Sequence, residues 1–240
     1  TYRGFHLGWY PAMAMNFKGA DINDLNAWFS TARLSRYASA KDPAALYAWD
    51  VRLAKAYLED VTHVEVLLRN FMSHRLSRDC ESRTPCHDCR WFDHPELYGL
   101  NVSTVSSIDK AKARLSHEGR KPSYDRVIAA LTFDVWRFML VRRLEPTVWR
   151  ALRSRTNGGM PYYPGTKRAE FEIHVAEIYR LRNRCSHQEH LVLENSWDEM
   201  AMLDGYSASL RWVAERIDPA AADWIASNSR VDDVRGQRPD

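Results

Sequence analysis

Apolar residues recur along the chain at spacings of three and four, and runs of strict alternation are hard to find, a pattern that predicts an all-helical protein. Six or seven helices follow from it. Ile22 to Tyr37 makes the first, and Lys41-Asp42-Pro43 then punctuates the chain, with Asp42 placed to cap and Pro43 suited to a first helical turn. A long helix runs from about Pro43 to about Leu76. From Ser77 to Leu100 the periodicity lapses and Cys, His, Pro and aromatic residues gather, which reads as an ordered irregular insertion over about 77–104. A short helix from Ser107 to about His117 ends at Gly119, and the most apolar helix follows, Tyr124 to Leu144. Trp149 to Arg153 belongs to a basic helix that exits through Asn157-Gly158-Gly159 and Pro161. Thr166 is placed to cap a helix reaching about His187, and Ser196 with Glu199 has the capping-box pattern for a last long helix to about Ile217. These elements predict one domain over 1–227 and a polar, frayed tail over 228–240.

Composition narrows the class. With 240 residues, 45% of them apolar, the chain is long enough to bury a core. Four cysteines are too few for a disulfide-stapled secreted scaffold, and neither end carries a signal-peptide pattern, so the expected location is the cytoplasm. The longest apolar stretch, Val127 to Val141, is interrupted by Thr132, Asp134 and Arg137, which excludes a helical membrane span there. Lys plus Arg number 34 against 31 acidic residues, a balance too even to indicate a nucleic-acid partner without local clustering. The chain starts at Thr1 rather than Met, as it would after loss of an upstream segment.

One arginine stands out. At 100° per residue, Phe171, Val175, Ile178 and Cys185 share a stripe, and Arg182 falls in its middle. A guanidinium keeps its proton, so an inward-facing one needs a carboxylate or an anionic ligand, or else snorkels past the helix edge. Its neighbourhood, Leu181-Arg182-Asn183-Arg184-Cys185-Ser186-His187, holds a phosphate-reading Arg, an Asn with donor and acceptor, and a His able to move a proton near neutral pH. Those groups suffice for metal-free RNA cleavage, in which a base deprotonates the 2′-OH and cations stabilise the charge at phosphorus. Five residues place Arg182 and His187 about 140° apart on a helix. Either the helix ends near His187 or a second set completes the site. Glu65, Arg69, Asn70 and His74 repeat the Arg-Asn-x-x-x-His spacing in the long early helix, with Glu65 and Arg69 also in register for a structural ion pair.

At these residues the chain resembles the HEPN superfamily of helical ribonucleases and, within it, the bacterial abortive-infection (Abi) family. The likeness lies in Arg182-Asn183-x-x-x-His187 and in three ordered blocks: His63 to Asn70, Val127 to Phe138, and Leu181 to His190, together spanning about Tyr47 to Leu193. It implies a HEPN-like α-helical bundle, usually completed as a homodimer. The implied activity is metal-independent cleavage of single-stranded RNA to a 2′,3′-cyclic phosphate and a 5′-hydroxyl, as a toxin or anti-phage effector held by a small-RNA or protein antitoxin. By the same resemblance His187 transfers the proton, Arg182 clamps phosphate, Asn183 orients, and Glu65, Arg69 and Asn70 shape the cleft. Two departures stand in the chain: Gln188 follows His187 where the family often has a second His, leaving His190 as a supporting residue, and Asp134-Val135 replaces a usual Gly-Phe. The reading from another class is a catalytically silent helical RNA-binding or partner-regulating module.

Two further clusters bear chemistry. Cys80, Cys86 and Cys89, with His94, have the makings of a structural zinc site, a local disulfide or free thiols; no cofactor is expected for catalysis. A zinc-stabilised interaction protein without a nucleic-acid role is a third reading. Arg137, Arg142, Arg143, Arg150, Arg153 and Arg155, with Arg184 in the later block, suit an RNA backbone. Trp136, Trp149, Tyr162 and Tyr163 suit either unpaired bases or the core.

Overall fold

Asp42 and Pro43 begin the helix that organises the molecule. The Asp42 carboxylate accepts the Ala45 N–H at 2.9 Å, Pro43 takes a first-turn position where its missing N–H costs nothing, and the helix then runs without interruption for 41 residues. The structure, a computed structural model, describes residues 21–85, 89–165 and 167–240, and every regular element among them is helical. In chain order these are α1 (Ile22–Phe29), α2 (Thr31–Leu34), α3 (Pro43–Arg83), α4 (Pro95–Tyr98), α5 (Val102–His117), α6 (Tyr124–Ala130), α7 (Phe133–Phe138), α8 (Arg150–Arg153), α9 (Arg168–Ser186), α10 (Ser196–Ile217), α11 (Pro219–Asn228) and α12 (Val231–Arg235). The expected all-α class holds, and among the described residues no helix is long and apolar enough to cross a membrane.

α9 and α10 pack antiparallel against each other and against α3. His174 meets Ser209 at 3.1 Å while Arg184 meets Met202 at 2.8 Å, so numbers rise on one helix as they fall on the other. Tyr57 of α3 donates to the Leu203 carbonyl at 3.0 Å from inside this interface. Three tryptophans, Trp49, Trp91 and Trp136, are wholly buried.

Five expectations change. α3 continues past Leu76 to Arg83, because Asp79 and Cys80 are still buried and the Leu76 carbonyl accepts from Tyr98. The irregular insertion is correspondingly shorter, and α5 starts early, capped by Asn101 on the Thr104 N–H at 2.8 Å. The first helix breaks at Ser30 (φ 73°), and the apolar run after Tyr124 breaks at Leu131, whose backbone is extended. α10 does start at Ser196, but its cap is Asn195; Glu199 reaches back instead to the Leu193 N–H and pairs with Arg238. Thr166 lies outside the described residues.

The 228–240 segment is packed rather than frayed. Val231 and Val234 are buried, the Trp49 indole donates to the Val234 carbonyl at 2.7 Å, and Arg230 pairs with Glu59. Two apolar residues three apart are too short a pattern to register as an amphipathic helix.

The arginine that the core does swallow is Arg168, 6% exposed at the start of α9. It donates to the Leu140 carbonyl at 2.6 Å and pairs with Glu145 and Glu172, the latter also held by Arg137 at 3.1 Å. Replacing it with Met leaves a buried carbonyl unpaired and Glu172 short of one cation, so Arg168→Met is expected to lower stability by about 3 kcal/mol in urea unfolding. A loss below about 1 kcal/mol would show that the network is solvated.

Candidate functional site

Arg182 lies within the arc of α9 that carries the buried Phe171, Val175, Ile178, Leu181 and Cys185, as its spacing predicts. Arg182 is half-buried, and no carboxylate oxygen lies within 4.0 Å of its guanidinium among the described residues. It donates to the Asn183 side-chain oxygen at 3.3 Å. Glu65 of α3 faces it: burial raises the Glu65 carboxyl above its ordinary range, while Arg182 and then Arg69 act in the opposite direction. Asp134 of α7 completes the group by accepting from the Tyr179 hydroxyl at 2.5 Å, which holds the phenol's proton on. Asn183 also lies close enough to the Tyr179 hydroxyl to influence its proton. Thus α3, α7 and α9 assemble Glu65, Asp134, Tyr179, Arg182 and Asn183. Tyr179 and Asp134 were not expected as members. Tyr179 was findable, since it lies four residues before Asn183 on one helix face.

α9 ends where the spacing required. His187 is its C-cap, and the chain reverses in a Schellman turn: the Glu189 N–H bonds to the Arg184 carbonyl at 2.8 Å and the Gln188 N–H to the Cys185 carbonyl at 3.3 Å. Gln188 takes the left-handed position (φ 56°) that usually belongs to glycine, and Arg33 clamps its carbonyl at 3.1 Å. The His187 side chain is exposed at this corner. His190 turns inward. Its Nδ1 meets the Tyr37 hydroxyl at 2.7 Å, and Tyr37 donates to the buried carboxylate of Asp50 at 2.5 Å, whose other oxygen accepts the Leu191 N–H at 3.0 Å. Burial holds the His190 imidazole below its usual pKa, opposed by Asp50 and assisted by Arg33 and Arg36.

The second motif copy lines a cavity. Arg69, Asn70 and His74, with Ser73, Ser77 and Tyr124, border an open cleft of about 560 Å³ between α3 and α6. The Tyr124 hydroxyl meets Ser77 at 2.7 Å, and Ser73 in turn accepts the Trp91 indole N–H at 3.1 Å, so the insertion forms part of this wall. Arg69 does not pair with Glu65 but contacts Asn70 at 3.5 Å. His74 is lowered from its ordinary pKa by burial and by Arg75 and Arg78, so its imidazole is neutral at pH 7. His74 and His187 do not meet: Gln188 and His190 sit level with Arg33 and Asp50, and Asp50 is about 36 Å from His74 along α3. Instead, Val51, Lys55, Leu58, Thr62, Glu65 and Arg69 share an arc of about 80° on α3, a strip that leads from the His187 corner past Arg182 to the cleft.

The basic residues divide. Arg142 and Arg150 are exposed. Arg143 binds the Gly99 carbonyl at 2.6 Å, Arg153 the Gly165 carbonyl, and Arg184 the His190 carbonyl at 2.8 Å, so these three brace loops. Trp136, Trp149 and Tyr163 are core residues, while Tyr162 is exposed. Cys80 and Cys89 stand at disulfide distance, and their sulfurs lie within 4.8 Å of a His94 ring nitrogen, a group able to hold a metal when the thiols are reduced. Cys86 lies outside the described residues.

Two measurements bear on this geometry. Gln188→Gly relieves a left-handed non-glycine residue and is expected to raise stability by about 1 kcal/mol in urea unfolding; a loss would mean that the side chain itself holds the turn. The low His74 pKa means that, as pH falls through about 6.5, the unfolded chain takes up a proton that the folded chain refuses, so this residue subtracts stability on acidification. His74→Asn is expected to flatten the fall in melting temperature between pH 7.5 and 6; an unchanged slope would contradict the shift.

Comparisons with known protein families, curated proteins and solved structures give no match for this chain.

Proposed function

We propose that the chain is a metal-independent endoribonuclease of the HEPN type, related to the abortive-infection family, acting on single-stranded RNA as a toxin or anti-phage effector. The observation that supports it most is the half-buried Arg182 guanidinium. It has no carboxylate in contact among the described residues, it is braced by Asn183 and it opens onto a strip of α3 that carries Glu65 and Arg69. A permanent cation kept partly out of water without an ion pair is favourable when an anion visits it. A phosphodiester supplies that anion.

In this reading His187 removes the 2′-OH proton and the freed oxygen attacks the adjacent phosphorus. The bond to the 5′-oxygen breaks and that oxygen takes up a proton. A 2′,3′-cyclic phosphate and a 5′-hydroxyl result. Arg182 stabilises the added charge at phosphorus, and Asn183 holds the guanidinium. Glu65, on α3 beside Arg182, shapes the wall against which the phosphate would lie. His74, about 36 Å or more from the His187 corner, does not share this reaction within one chain. A homodimer would bring a second Arg182 and His187 to the same strand. Arg142 and Arg150 are available to an RNA backbone, and a small-RNA or protein antitoxin would cover the strip. Reduced Cys80 and Cys89 with His94 would hold zinc as a brace for the cleft wall, with no part in cleavage.

One observation favours the silent RNA-binding module: no side chain among the described residues orients the exposed His187 ring. The deciding experiment is incubation of the pure protein with single-stranded RNA in EDTA, followed by end mapping. Cyclic-phosphate ends that fall at least about 100-fold in both Arg182→Ala and His187→Ala are expected, in line with loss of a general base or a charge-stabilising donor. Cleavage that survives His187→Ala rejects this assignment, and tight binding without cleavage selects the silent module.

A further inference from the structure

Beside the His187 corner lies a second, smaller cavity of about 190 Å³, between the α2 end, the first turns of α3 and the turn after α9. Its interior differs from the open cleft. Tyr37 and Tyr47 line it, with ring centroids 5.5 Å apart and planes at 74°. The Asp50 carboxylate, 4% exposed, lies at its edge with each oxygen already taking one hydrogen bond and keeping a second lone pair. Arg33 and Lys55 also border it, and Lys55 has no carboxylate within 4.0 Å among the described residues. Gln188 and Glu189, the residues after His187, close one side, and the Glu189 carboxylate is an exposed one at the rim.

The size excludes most drug-sized ligands, which need about 300 Å³ or more, and suits one planar ring system. Aromatic walls favour a flat heterocycle, a buried carboxylate needs an N–H donor from it, and two cations beside the cavity favour a phosphate attached to it. An unpaired nucleobase with its phosphate has all three. The carboxylate also discriminates: adenine, guanine and cytosine offer an amino N–H, whereas uracil offers one imino N–H between two carbonyl oxygens that a carboxylate repels.

We propose that this cavity is a base-specificity pocket. It takes one extruded, amino-bearing base, with Lys55 and Arg33 on the neighbouring phosphate. As a subsite for RNA cleavage it rests on the function proposed above, since it places the selected base next to His187. As a binding site it stands on its own geometry.

The test is a titration of the purified full chain with AMP, GMP, CMP and UMP, followed by NMR. At least one of the first three is expected to bind tenfold or more tightly than UMP. That binding is expected to weaken at least tenfold in Ala54→Phe, which fills the cavity from its lining, and in Lys55→Glu, a change at an exposed position that leaves the core intact. No binding of any monophosphate, equal binding of UMP, or binding indifferent to both substitutions overturns the pocket. Binding without RNA cleavage keeps the pocket and rejects the nuclease. Cleavage without such binding does the reverse.

Discussion

A helix of 41 residues, about 60 Å long, cannot be covered by partners of 19 and 22 residues, and this mismatch sets the plan of the molecule. α9 and α10 bury the first half of α3 through Leu53, Tyr57, Val61 and Val64, while α7, α8 and the insertion take the second half through Phe71, Met72 and Leu76. What remains uncovered includes a strip on one side of α3, from Val51 to Arg69. Polar and charged groups gather there, and Glu59, His63 and Asn70 extend the exposed side of α3 beyond it. The register of α3 against its neighbours is fastened at Asp50, whose carboxylate ties Tyr37 before α3 and Leu191 after α9 to one buried point. Burial raises its pKa, and the two hydrogen bonds offset part of that penalty.

Much of this was readable from residues alone, and the division between readable and hidden has physical causes. The 3.6-residue period is local, so it gave the helical class, the start of α3 at Pro43 and the extents of α9 and α10. It could not give the break at Leu131, since the flanking apolar run looks continuous and only packing of Phe133 and Trp136 decides where the chain turns. Nor could it give α12, whose two valines matter because Trp49, about 180 residues earlier, needs an acceptor for its indole N–H. At the site, Glu65 and Arg182 were legible as polar residues on inward arcs of two helices. Asp134 was not, because its partner Tyr179 is brought to it by the crossing of α7 and α9.

Two arginines of α9 are held in opposite ways. The rule that a buried guanidinium needs carboxylates is obeyed at Arg168, where two glutamates and a carbonyl surround it. Helical periodicity pointed instead to Arg182, which is half-buried and faces Glu65, whose carboxyl burial raises above its ordinary range. No carboxylate oxygen touches Arg182 among the described residues, whereas at Arg168 the Glu172 carboxylate is in direct contact. The difference between the two sites is therefore the difference between a cation the fold has satisfied and one it has left available.

That availability also explains the spacing of the two motif copies. Within one chain the strip separates the His187 corner from Arg69 by about 30 Å and from His74 by about 36 Å, the reach of several nucleotides of single strand and far beyond one phosphodiester. The two histidines of the repeated spacing therefore do not share one composite site, although Arg182 of the later copy stands beside Glu65, one turn from Arg69. On a strand laid along α3, the later copy would meet the phosphate at the helix end, while the earlier copy, with a neutral imidazole and an open cleft, would hold the strand further along. A length of RNA that spans only one of the two regions loses the second set of contacts, so substrate length becomes a consequence of the length of α3.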